Sequence, residues 1–207
     1  MFTVEDAGKL IALARKSIEY YLASGRYLMD EPKERKFKEE RGAFVSLHTY
    51  PGHQLRGCIG FIEPIKSVWE TVIECSVSAA FRDPRFPKLT ASEWGRNDIV
   101  VEISVLSIPD LIYVTDPEEY LGKIQIGRDG LIIERGINKG ILLPQVPVEF
   151  GWGVEEFLNQ CCLKAGLRKD EWEEDGTVVY KFSAHVWKES APKGEVIEEN
   201  LNSPHQD

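Results

Sequence analysis

The chain has 207 residues, 43% of them hydrophobic, and a formal net charge of −9. That is enough for one large domain, or one domain of two lobes, while the acidic balance argues against a general nucleic-acid binder, which carries a basic field. No apolar run approaches the roughly 18 residues that span a bilayer, and Met1-Phe2-Thr3-Val4-Glu5-Asp6 lacks the basic start and apolar block of a secretory signal.

Four cysteines show no Cys-x-x-Cys spacing, and Cys161 and Cys162 are vicinal. Reduced thiols, a cytoplasmic setting and no structural zinc are the expectation. Part of the charge is peripheral: Glu189, Glu195, Glu198, Glu199 and Asp207 stand against Lys193 alone, −4 in all, which leaves −5 for the folded part. A local basic pocket is compatible with that balance.

Thr3 to about Gly25 reads as a helix, capped by Thr3 with Asp6 three residues on, with Val4, Ala7, Ile11, Ala14, Ile18 and Tyr21 on one face. Met29 to Arg41 is charge-dense and reads as a surface connection. Gly42–Thr49 and Gln54–Ile62 are expected to pair as a hairpin around Tyr50-Pro51-Gly52-His53. Lys66 to Arg82 reads as a second helix, followed by an extended, rigid link at Asp83-Pro84-Arg85-Phe86-Pro87.

Asp98 to Ser107 alternates as a half-buried strand, with Ile99, Val101, Ile103 and Val105 on one face and Glu102 and Ser104 on the other. Arg128-Asp129-Gly130 between apolar residues predicts a hairpin turn, and Gly140–Leu143 a further extended run. Gly153 to Ala165 reads as a helix closed by Gly166, and Val178 to Trp187 as a last strand. Residues 1–190 are taken as one domain and 191–207 as a polar, mobile tail. Helices and hairpins without regular βαβ alternation point to an α+β fold with mostly antiparallel sheets and flanking helices.

The densest chemistry lies in Leu55-Arg56-Gly57-Cys58-Ile59-Gly60. In an extended strand Arg56 and Cys58 share a face, and Gly57 and Gly60 are expected to leave open space beside them. If Tyr50 lies opposite Gln54, then His48 meets Arg56 and Ser46 meets Cys58. Imidazole and guanidinium near the thiol are expected to lower its pKa. The competing reading makes Cys58 a packing residue and His48 a hydrogen-bonded strand residue.

Phe81-Arg82-Asp83-Pro84-Arg85-Phe86 supplies a second element. Arg82 and Arg85 suit a carboxylate or phosphate, or they form an internal pair with Asp83 that ties the loop to the body. Glu102 is a base, or a salt-bridge partner for one of these arginines. The four histidines have no metal-ligand spacing, and the phosphate-loop, dinucleotide and nucleophile-elbow motifs do not occur. Neither a metal nor another cofactor is expected. Phe150-Gly151-Trp152-Gly153 is a flexible aromatic rim or a helix entry with Trp152 packed inward.

Together these residues resemble the AMMECR domain family, through the hexapeptide Leu55–Gly60, Phe81–Pro87, Val101–Leu106, Gly140–Val146 and Trp152. The resemblance covers the chain to about Lys188 and suggests an archaeal or bacterial stand-alone member. It implies an α+β fold of a larger and a smaller lobe separated by a cleft, with the hexapeptide near it. It supplies no reaction, although relatives associated with Memo-type and radical-S-adenosylmethionine proteins suggest a shared pathway and a possible protein partner.

Two functions fit. One is a cleft enzyme, or enzyme component, acting on a small anionic or peptide-like substrate. There Cys58 is nucleophile or acid, His48 its base, Glu102 an orienting carboxylate, Arg56 with Arg82 or Arg85 an anion clamp, and Gly57, Gly60 and Asp83 shape the pocket. The other is a non-catalytic binding module that presents the cleft to a protein or peptide.

Overall fold

In the computed structural model, which describes residues 2–199, helix α1 (Val4–Ser24) begins and ends at its sequence signals. Thr3 accepts the Asp6 amide at 3.3 Å, and the Asp6 carboxylate accepts the Thr3 amide at 3.0 Å. Gly25 closes the helix at φ 68°. These contacts satisfy amides and carbonyls that a helix end leaves open. Ala7, Ile11, Ala14 and Ile18 are buried, while Val4 is exposed. The charged connection after α1 is pinned back onto it: Phe37, in a short 3₁₀ turn, is buried, and Lys36 donates to Asp6 at 2.7 Å.

Strands β1 (Ala43–Thr49) and β2 (Leu55–Phe61) pair antiparallel, and β1 pairs on its other side with β3 (Ile99–Leu106). Ala43, Val45, Leu47, Val101 and Ile103 share one fully buried face, and α1 and α2 (Val68–Phe81) contribute to the same core. That burial, at about 25 cal/mol per Å² of apolar surface, is the main force holding helices to sheet. Where an extended link was expected after α2, residues 84–86 form a turn: Asp83 accepts the Arg85 amide and its carbonyl takes the Phe86 amide. A five-residue helix, α3 (Ala91–Gly95), follows.

The chain then builds β4 (Asp110–Leu111), α4 (Glu119–Lys123), β5 (Asp129–Arg135), β6 (Asn138–Leu142), α5 (Gln145–Phe150) and α6 (Val154–Lys164). Arg128-Asp129-Gly130 enters β5 instead of turning a hairpin, because the Asp129 carboxylate is occupied by Arg128 and the Gln125 amide. The hairpin lies at Gly136-Ile137, between β5 and β6, with Gly136 at φ 60°. Phe150-Gly151-Trp152-Gly153 follows the helix-entry reading: Gly153 stands at the start of α6, Trp152 packs on the core beside it, and the Phe150 and Trp152 rings stack at 4.8 Å.

Strand β7 (Val178–Glu189) outlasts the expected Val178–Trp187, and β8 (Val196–Glu199) pairs antiparallel with its end. Part of the expected tail is therefore strand, and 200–207 lie outside the described residues. The described residues separate into two compact units, 2–106 with 185–199 and 107–184. The architecture is α+β with antiparallel sheet pairing. None of the described helices is long and apolar enough to cross a membrane.

Candidate functional site

Within the first unit, the face of β1, β2 and β3 opposite α1 and α2 carries the polar residues. Ser46 lies opposite Cys58 on one side and opposite Glu102 on the other, so the three form one row across three strands. This pairing of Ser46 with Cys58 is the one expected from the hairpin. The register then slips: Leu47 faces Gly57 and His48 faces Leu55, which leaves Arg56 as the extra residue of a β-bulge.

The bulge removes Arg56 from the thiol. Its Nε donates to Glu93 Oε1 at 2.6 Å, and its Nη2 donates to Glu93 Oε2 at 3.0 Å and to the Pro87 carbonyl at 2.8 Å. Glu93, one turn into α3, is held below the usual carboxylate range by this fork. The expectation that Arg56 and His48 flank the thiol is therefore corrected. The sequence signal for Glu93 was its spacing from the cap residue Thr90, whose side chain accepts the Glu93 amide.

Asp83 and Arg85 follow the internal alternative. Asp83 accepts two hydrogen bonds from the Arg85 guanidinium, at 3.0 and 2.8 Å, and one from the Cys58 amide at 2.9 Å. Arg85 in turn donates to the Cys58 carbonyl at 3.2 Å. Strand β2 ends the order β2-β1-β3, so its outward amide and carbonyl at Cys58 are met by side chains where a neighbouring strand would stand. Arg85 holds the buried Asp83 far below the ordinary carboxylate range. Arg82 takes no part: it is exposed, with its guanidinium 5.3 Å over the Tyr27 ring.

The glycines also differ from their expected use. A Cβ on Gly57 would lie 2.2 Å from the Ala79 carbonyl oxygen of α2, and one on Gly60 would lie 2.2 Å from the Phe44 ring. Both serve close packing of protein on protein, and neither leaves open space.

Burial pushes the Cys58 thiol above the ordinary cysteine range; the Ser46 side chain pulls it back only in part, Glu102 adds to the rise and Arg85 opposes it. The expected low-pKa thiol is thus overturned: the group is a neutral thiol near neutral pH. Cys75, Cys161 and Cys162 are core residues, as the helical spacing indicated, and burial pushes them to about 12, 12 and 11.

The partner of Glu102 is His48, and no arginine. His48 Nε2 lies 3.6 Å from Glu102 Oε2, with both side chains mostly buried, and this nitrogen has no hydrogen-bond partner. Burial lowers the imidazole's pKa, but the facing carboxylate outweighs it and the net shift is upward. Burial likewise raises Glu102, and His48, with Lys188 beyond it, brings it below the usual carboxylate range. Lys188 is itself paired with Glu199 of β8. No group of three or more metal-type ligands occurs among the described residues.

An α+β chain whose polar sheet face carries a histidine–carboxylate pair in line with a neutral thiol is the class of protein that fold and site define. It belongs to the AMMECR1 family, whose model matches residues 11–187. It is 51% identical to protein MJ0810 of Methanocaldococcus jannaschii, over 97% of this chain and 98% of that one. It is 48% identical to protein MK0488 of Methanopyrus kandleri, over 96% of each. Among solved structures, the uncharacterized protein PH0010 of Pyrococcus horikoshii is similar with a TM-score of 0.76 and 45% identity, over 93% of this chain and 96% of that one.

Proposed function

We propose that the chain is an enzyme, or the catalytic component of one, that uses Cys58, Glu102 and His48 on a small, peptide-like substrate. The observation that carries this is the row Cys58–Ser46–Glu102 with His48 on Glu102. A half-buried thiol that keeps its proton is a weak nucleophile until a base takes that proton. His48, whose basicity the facing Glu102 raises, is the base that takes it, with the Ser46 hydroxyl as relay; Glu102 orients the imidazole and balances the charge it gains. Cys58 then acts as nucleophile or as acid, according to which form the substrate meets.

Of the two substrate types, the peptide-like one is better supported, because Arg56 and Arg85 are already engaged by Glu93 and Asp83. A Memo-type or radical-S-adenosylmethionine protein is kept as the partner that the family's associations suggest.

Complementation of a strain lacking its own copy of the gene tests the proposal. Cys58→Ala, Glu102→Gln and His48→Gln are each expected to abolish rescue, and Cys75→Ala, at a fully buried thiol off the row, to preserve it. Full rescue by Cys58→Ala would remove thiol chemistry. Such rescue together with failure of Arg56→Glu would favour a binding module.

A further inference from the structure

Arg82 and Lys88 take no part in the row of Cys58, and neither makes an ion pair among the described residues. Both are exposed and line a cavity of about 610 Å³ whose walls include the rings of Tyr21, Phe81 and Phe86. Tyr21 and Phe81 pack against each other at 4.7 Å between ring centres. The one carboxylate on this cavity, Asp83, has both oxygens committed to Arg85 and to the Cys58 amide. In a chain of net charge −9, this cavity carries two cations and no carboxylate left unengaged, while Arg82 also borders a second cavity lined by Asp30, Glu31, Glu70 and Glu74.

Arg82 is also ordered for binding. Its guanidinium lies 5.3 Å over the Tyr27 ring, so part of the side-chain entropy that binding would cost is already lost. A guanidinium held by a ring and not by a carboxylate keeps its N–H fork free for phosphate or carboxylate oxygens.

We infer that this cavity is a second binding site, distinct from the His48–Glu102 site, for a small anion that carries a flat apolar group. The anionic end sits on Arg82 and Lys88, and the flat group rests against Tyr21, Phe81 and Phe86. Phosphate and carboxylate share this chemistry, and the two are separated by the choice of probe.

The test is a ¹H–¹⁵N titration of the whole chain with phenyl phosphate and with benzoate, alongside inorganic phosphate and phenol. Saturable shifts at Phe81, Arg82, Phe86 and Lys88 are expected with one or both aromatic anions. Half-saturation should come at concentrations about tenfold below those for inorganic phosphate or phenol. The double substitution R82Q/K88Q should weaken binding by about tenfold or more while leaving the thermal midpoint unchanged. R82K, which keeps the charge and loses the fork, should fall between. Shifts that never saturate, equal responses to phenyl phosphate and inorganic phosphate, or binding untouched by both variants would each overturn the inference.

Discussion

The two faces of the first unit's sheet each hold a charge pair, and the pairs are built differently. On the helix-covered face Arg15 and Glu189 are both buried and joined at 2.6 and 2.5 Å; Arg15 also donates to the Ile99 carbonyl, and Glu189 also accepts from the Val101 amide. The Arg15 guanidinium also lies 5.0 Å over the Trp94 ring. On the opposite face His48 and Glu102 stand 3.6 Å apart, with the histidine nitrogen otherwise unpartnered. A saturated network fixes structure. An unsaturated one keeps a donor and an acceptor available, which is what proton handling requires.

The contrast is broken most strongly at Arg15. Arg15→Met leaves Glu189 charged in the core and is expected to cost about 3–5 kcal/mol, read as a lower midpoint in urea unfolding; adding Glu189→Leu should recover most of the loss. Next is Gly57→Ala, whose new methyl meets the α2 backbone and should cost roughly 1–3 kcal/mol, again by urea unfolding.

The polar face responds more weakly and through pH. His48 titrates above its ordinary 6.5 in the folded chain, so its contribution is complete below 6.5 and is lost as pH rises through the folded value. Glu102 titrates below its ordinary 4.5, so its contribution is complete above 4.5 and is lost as pH falls through its folded value. The stability difference between the natural chain and His48→Gln should therefore be largest between these two ordinary values, about 1 kcal/mol, and shrink in alkali. Thermal midpoints across pH check this. An NMR titration sharpens it: in Glu102→Gln the His48 midpoint should fall, since burial then loses its main counterweight. The smallest effect is at sulfur. Alkylation of Cys58 by iodoacetamide should run no faster than that of a model thiol at neutral pH, with a midpoint above the ordinary cysteine value.

Much of the fold was legible because its signals are local. The Thr3–Asp6 cap, the alternation of Ile99 to Val105 and the Ser46–Cys58 register need only neighbours in sequence or one short loop. The slip at Arg56 was not legible, since it depends on how the chain leaves the turn, where Thr49 and not Tyr50 bonds Gln54. The partner of Arg56 sits 37 residues away on a five-residue helix, too short to show a period. The hairpin at Gly136-Ile137 escaped notice because its second residue is a fully exposed isoleucine, where turn chemistry favours small or polar residues. Of the site, the residue types were readable and their pairing was not: Glu102 lies 54 residues from His48, and proximity across strands leaves no mark on composition.

The side chains that meet the outward backbone of Cys58 bear on solubility as well as on the site. A sheet margin with unmet amides and carbonyls is a template on which a second molecule can lay its own strand and start a growing stack. Here a carboxylate and a guanidinium already occupy that template at its midpoint, and they set two charged groups where an incoming backbone would have to approach. The loop that orders the thiol's strand thereby also closes this point of the margin to an added strand.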